Sequence, residues 1–106
     1  QVLHMVASRT KACTRDFDTV GRYGGDELMV VLRDASAAVA ASIAERIRQS
    51  ISESEIRVHG TGLRVTASLG IARAQSEDTV HALIARADRA LYAAKQMGRN
   101  SVVSLT

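Results

Sequence analysis

The chain has 106 residues with 46% apolar and 3% aromatic content, no Pro and no Trp, which fits one domain or a large piece of one with a core of Ala, Val, Leu and Ile and excludes a disordered chain. The longest strictly apolar run, Leu28–Leu32, is far too short to span a bilayer, nothing resembles a signal peptide, and a lone Cys13 allows no internal disulfide, so the chain reads as soluble and cytoplasmic. The net charge is +3 and 12 of the 14 basic residues are Arg, whose planar fork suits phosphate, but they are scattered without interleaved aromatics, which argues against a nucleic-acid surface.

In chain order, Val2, Leu3, Met5 and Val6 lie on one side of a helix running to about Cys13. No capping residue precedes them, so Gln1 reads as a position in mid-helix, with residues missing upstream. Thr14–Asp18 is a polar turn and Thr19–Tyr23 a strand. Gly24-Gly25 signals a two-residue type I′ hairpin, since both glycines tolerate positive φ, and Asp26–Leu32 returns as a second strand. Its unbroken apolar run predicts burial on both faces near the centre of a sheet. Asp34 or Ser36 caps a helix over about Ala35–Ser52, with Val39, Ile43, Ile47 and Ile51 as its buried stripe. Ile56–Val58 and Leu63–Val65 flank His59-Gly60-Thr61-Gly62 as a second hairpin, and Arg64–Ala72 alternates as a half-buried strand. Thr79 caps a helix to about Met97, its apolar face formed by Val80, Leu83, Ile84, Ala87, Leu91 and Ala94, and Gly98 ends it. Ser101–Leu105 is a final strand. The order predicts an α+β layer with helices packed on a mostly antiparallel sheet.

Three features bear on chemistry. At the first hairpin, glycines admit close approach of a ligand, and Asp26 and Glu27 follow at once. Mg²⁺ takes one or two carboxylates plus substrate phosphates, so an acidic hairpin tip suits it, although such a tip is also an ordinary solvated turn. Neighbouring strand residues point to opposite faces, so both acids serve one site only if the turn takes Asp26 out of strand geometry. Second, Lys95 and Arg99 stand around Gly98 at a helix C-terminus, where the macrodipole alone favours cations. Lys95 follows Leu91 by one turn and so borders the buried stripe, which favours a phosphate contact. Third, Arg15-Asp16-Phe17-Asp18 is a charged loop of the kind usually turned to solvent. His4, His59, His81 and Cys13 share no ligand spacing, so neither a zinc site nor a Ser/His/Asp constellation is supported.

In order, RYGGDEL at Arg22–Leu28, VTASLGIA at Val65–Ala72 and RADRALYAAKQMGRNSV at Arg86–Val102 closely resemble the later part of a GGDEF domain. That family comprises diguanylate cyclases, which condense two GTP into cyclic di-GMP with release of pyrophosphate, on a fold like the palm of nucleotide polymerases and cyclases. The resemblance covers nearly the whole chain, 1–106, as a partial domain. It implies that Gly24 and Gly25 face the nucleotide, that Asp26 and Glu27 are active-site acids binding Mg²⁺ or Mn²⁺, and that Lys95 and Arg99 hold the GTP phosphates. It also implies that Arg15 and Asp18 form the RxxD inhibitory site, five residues before the glycines, with Arg46 as a secondary arginine. Cyclic di-GMP bound there would restrain the enzyme. Each domain binds one GTP, so two must meet as a homodimer.

Leu28 stands where the family usually has Phe, which implies a packing adjustment. The family's first strand and following helix, with another metal-binding Asp and the Asn and Asp that read guanine, correspond to positions before Gln1. That first strand is central in the family's sheet, beside the one matching Asp26–Leu32. The expectation is that this chain alone is inactive and associates through the apolar edge left there. Attachment to an upstream sensor or membrane region is compatible with the reading. Two other readings are a non-catalytic cyclic di-GMP receptor and a dimerisation scaffold.

Overall fold

A computed structural model describes residues 2–105; the expected mid-helix position of Gln1 lies outside them. The chain runs α1 (Val2–Cys13), β1 (Thr19–Arg22), β2 (Leu28–Val31), α2 (Ala37–Ser52), β3 (Ile56–Val58), β4 (Thr61–Leu63), β5 (Leu69–Ile71), α3 (Val80–Gln96) and β6 (Val102–Ser104). The α+β reading holds. The strands form three two-stranded sheets: β1–β2 and β3–β4 are antiparallel, and β5–β6 is parallel.

Local chemistry explains the helix boundaries. Ser36 caps α2, its Oγ accepting from the Val39 amide at 3.1 Å, and Thr79 caps α3, its Oγ1 accepting from the Ala82 amide at 3.0 Å. Asp34 instead takes a left-handed φ of 51° in the turn before the cap. At the end of α3, Gly98 N–H donates to Lys95 O at 3.3 Å and Arg99 N–H to Ala94 O at 3.2 Å, with Gly98 at φ 102°. This is the paired-bond Schellman stop that a glycine permits.

The core lies on α2. Ile43, Ile47 and Ile51 are buried and gather Val6, Cys13, Leu32, Val65, Ala67 and Leu69. α2 packs on α1 and on β5 and β6, and α3 covers β5 and β6 from its own side. Two apolar positions differ from expectation: Val39 is 40% exposed and Val80 is 75% exposed. Both sit in the first turn of their helices, ahead of the stretch that packs. Gly70 explains how closely β5 meets α3, because a Cβ there would overlap backbone of α3, including Ala87 O at 2.6 Å.

The hairpins also depart from expectation. His59 (φ 51°) and Gly60 (φ 81°) make the two-residue positive-φ turn, between Val58 and Thr61. Gly24 and Gly25 do not, since the positive-φ glycines among the described residues are Gly60 and Gly98. The β1–β2 pairing ends at Arg22↔Leu28, so Tyr23 to Glu27 form a wider tip. β2 is also not buried on both faces: Val31 is 51% exposed, and β1 is its one strand partner among the described residues. An apolar run gives a strand the composition for a central place, but the place itself requires neighbours on two edges. Of the expected Arg64–Ala72 strand, Leu69–Ile71 forms the ladder, paired with Val102–Ser104.

Candidate functional site

The tip of the β1–β2 hairpin is shaped by hydrogen bonds from both of its ends. The Tyr23 and Gly24 amides both donate to Glu27 O, at 2.9 and 3.3 Å. Arg22 reaches forward from the last residue of β1, Nε donating to Gly24 O at 3.2 Å and Nη2 to Gly25 O at 2.9 Å. A guanidinium fork thus fixes the carbonyls of both glycines, and this grip replaces the tight type I′ turn. Asp26 and Glu27 consequently fall outside the strand, so strict strand alternation does not govern where they point. Asp26 is exposed, while Glu27 is half-buried, its Oε1 lying 3.5 Å from where a Cβ of Gly24 would be. The space over Gly25 is open. The sequence reading passed over Arg22, although its position two residues before the glycines, at the end of a strand, was a usable signal.

Two adjacent carboxylates at an exposed tip fit part of the oxygen set that Mg²⁺ or Mn²⁺ takes, with substrate phosphates and water supplying the rest. Among the described residues no group of three His, Cys, Asp or Glu side chains is gathered tightly enough to hold a metal unaided. Next to the hairpin, an open groove of about 350 Å³ between α1 and the strands is lined by Leu3, His4, Val20, Arg22 and Leu28 among others. A neighbouring groove of about 770 Å³ runs on between α1 and β1, past Lys11 and Asp18.

Lys95 and Arg99 stand at the C-terminal end of α3. Lys95 is half-buried on the last turn of α3, beside fully buried Ala94, and Arg99 is exposed at φ 65° directly after the Schellman stop. The segment around Arg99 is anchored to α2: Arg48 donates from Nη1 to Asn100 Oδ1 at 3.0 Å while pairing with Glu45. The two cations therefore lie at the C-terminal end of α3, while the hairpin's first strand packs against α1.

Arg15 and Asp18 do come together, and Arg46 reaches the end of α1 just ahead of them. Asp18 has a fully buried side chain whose Oδ2 accepts from Arg15 N and Nε, both at 2.9 Å. Its Oδ1 accepts from Arg15 Nη2 at 3.1 Å and from the Arg33 amide at 3.2 Å. The Arg15 side-chain bonds, helped by these amides, hold the Asp18 carboxyl down to about 2, and Asp18 in turn raises the Arg15 guanidinium. Arg15 Nη2 also donates to Arg33 O at 2.8 Å. Arg46 reaches from α2 to Cys13 O at 3.2 Å, two residues before Arg15. Phe17 and Arg33 are contributors the sequence reading did not use. The Arg15 guanidinium lies over the Phe17 ring, 4.7 Å from its centroid.

Comparison with known proteins adds an independent line. A family model described as "Diguanylate cyclase, GGDEF domain" matches residues 1–101. Diguanylate cyclase A of Treponema denticola is 44% identical over 102 residues, covering 95% of this chain and 28% of that protein. Response regulator PleD of Caulobacter vibrioides is 44% identical over 106 residues, covering 97% of this chain and 23% of that protein. The chain thus spans about a quarter of the length of these curated relatives. Among solved structures, diguanylate cyclase SiaD from Pseudomonas aeruginosa, crystallised with its activator SiaC, superposes with a TM-score of 0.92 at 34% identity, over 98% of this chain and 40% of that one. The GGDEF domain of DgcB from Caulobacter crescentus, in complex with c-di-GMP, gives 0.90 at 33% identity, over 98% of this chain and 63% of that one.

Proposed function

The chain belongs to the GGDEF domain family of diguanylate cyclases, and from that premise we propose that it carries the metal-binding hairpin and phosphate-binding cations of an enzyme that condenses two GTP into cyclic di-GMP. The observation that carries the proposal is the hairpin tip, where Asp26 and Glu27 follow one another outside the strand on a loop gripped by Arg22.

In this reading Asp26 and Glu27 hold Mg²⁺ or Mn²⁺. A divalent cation bound there supplies Lewis-acid stabilisation of charge on the phosphate oxygens. Gly24 and Gly25 leave room for the nucleotide to approach the backbone, with open space over Gly25. Lys95 and Arg99 offset the charge of the GTP phosphates, and the Schellman stop fixes their spacing. A ribose 3′-hydroxyl oxygen forms the new bond to the α-phosphorus of the facing GTP, the α–β phosphoanhydride bond breaks, and pyrophosphate leaves as the hydroxyl proton is released. Closing the ring repeats the step in the opposite sense, so two copies must face each other as a homodimer. Activity is assigned to the intact protein, since two carboxylates make only part of a metal site; the 106 residues alone are proposed to be inactive. Arg15, Asp18 and Arg46 are proposed to bind the product and restrain turnover, a role supported by the Arg15–Asp18 pair and by Arg46 reaching the adjoining end of α1. The c-di-GMP held by the DgcB domain is in keeping with that ligand.

The same assembly favours a second reading, a cyclic di-GMP receptor without turnover. Product formation by the intact protein separates the two. Asp26→Ala and Glu27→Ala should each lower cyclic di-GMP synthesis by at least about a hundredfold, in the range typical for lost electrostatic stabilisation of a transition state. Binding of cyclic di-GMP with no synthesis by the wild-type protein would favour the receptor, and retained synthesis in both variants would refute the metal assignment.

A further inference from the structure

We propose that Phe17 is a base-stacking platform in the cyclic dinucleotide site, a proposal that rests on the inhibitory-site reading of Arg15, Asp18 and Arg46. Phe17 is the only phenylalanine of the chain, and it does not enter the core: it is 51% exposed in the turn between α1 and β1. That turn is rigid. Asp18 N–H closes it onto Arg15 O at 3.0 Å, and Lys11 Nζ donates to Asp18 O at 2.6 Å. The Asp18 carboxylate and Arg33 O fix Arg15 through Nε and Nη2, which sets the guanidinium over one face of the ring at 4.7 Å. Nη1 of Arg15 makes no hydrogen bond among the described residues. Arg46 brings a second, exposed guanidinium to the adjoining end of α1 through Cys13 O.

The turn therefore presents an exposed aromatic ring beside a fixed Arg15 guanidinium, with the Arg46 guanidinium at the adjoining end of α1. An aromatic face takes a nucleobase by stacking and tolerates any base. The guanidinium groups add what stacking lacks, N–H donors for the O6/N7 edge of guanine or for a phosphate: Nη1 of Arg15, and the nitrogens of Arg46 that Cys13 O does not occupy. Ring and cations together describe a guanine nucleotide with an accessible phosphodiester, which is the chemistry of cyclic di-GMP. The two residues between Arg15 and Asp18 are thus not mere spacers in this chain. Phe17 adds affinity that an RxxD turn with a small residue at that position would lack.

The test is calorimetric titration of cyclic di-GMP into the intact, nucleotide-free protein, comparing wild type with Phe17→Leu, Phe17→Trp and Arg15→Ala, each checked by thermal melting. Leu keeps an apolar cover over Arg15 and loses the π face; Trp keeps both. Phe17→Leu should bind about tenfold more weakly, within the range of one lost base–aromatic stack, and Phe17→Trp at least as tightly as wild type. Wild-type affinity in Phe17→Leu alongside weakened binding in Arg15→Ala would overturn the stacking role and leave the inhibitory site standing. Wild-type affinity in Arg15→Ala, or no binding by wild type, would overturn that site and the stacking role with it.

Discussion

Asp18 ties the end of α1, the turn after it and the segment after β2 to one another, through a buried carboxylate that accepts from Arg15 and Arg33 and a carbonyl that accepts from Lys11. Asp78 does similar work before α3, where Arg86 donates to both of its oxygens at 2.8 and 2.7 Å and the Gln75 amide to one at 2.6 Å. Both carboxyls are lowered from 3.8 to about 2, chiefly by hydrogen bonds from Arg15 and Arg86 respectively. A carboxyl lowered on folding binds fewer protons in the native state, so its stabilisation is complete above about pH 4 and is lost as pH falls toward 2. The melting temperature should therefore fall between about pH 4 and pH 2, and Asp78→Asn should lower it at neutral pH while making that acid loss shallower, as circular dichroism melts will show. Arg22 gives a second expectation at this scale. Arg22→Met removes the grip on the Gly24 and Gly25 carbonyls, so cyclic di-GMP synthesis should drop about tenfold or more with little change in melting temperature, because the tip is exposed. The acids and glycines of the tip were legible as residue types, and Arg15 with Asp18 as a spacing. The burial of Asp18 was not, since it depends on the Arg33 amide 15 residues away.

Among the elements, the helices were the most readable because their signals are local: Ser36 and Thr79 cap where a hydroxyl can accept, and Gly98 stops α3 where a left-handed residue is required. The strands were less so. Two glycines in succession suggested a tight turn at 24–25, but the neighbouring Arg22 holds that loop open, and the tight turn fell to His59-Gly60 instead. The parallel pairing of β5 with β6 joins Leu69 to Val102, a distance in sequence that no local pattern encodes. Gly70 carries a prediction at this scale. A methyl group there would meet the backbone of α3, and backbone cannot swing aside as a side chain can. Gly70→Ala should destabilise the fold by about 1–3 kcal/mol or more as α3 lifts from β5, against almost nothing for Gly25→Ala, over which the space is open. Urea titrations of the two variants make the comparison.

In the molecule as a whole, α2 is the element that joins the remaining layers. It packs on α1, which borders the hairpin, and on β5 and β6, which carry α3 and its cations. Stability of the α2 stripe and activity should accordingly fall together: Ile47→Ala should cost about 2–5 kcal/mol and reduce synthesis at temperatures where the wild type is fully folded. Layering, helix order and family membership followed from the sequence, because hydrophobic periodicity and the ordered motifs extend over the whole chain. The position of the Lys95–Arg99 pair relative to the hairpin did not, since it depends on tertiary packing of elements far apart in the chain. The most direct check of the cyclase assignment is the product of the intact protein given GTP and Mg²⁺, identified by mass spectrometry while released pyrophosphate is counted. Cyclic di-GMP with two pyrophosphates per molecule is the expected result. GTP consumed without cyclic di-GMP, or no turnover by a protein that binds GTP and is freed of product, would contradict that assignment.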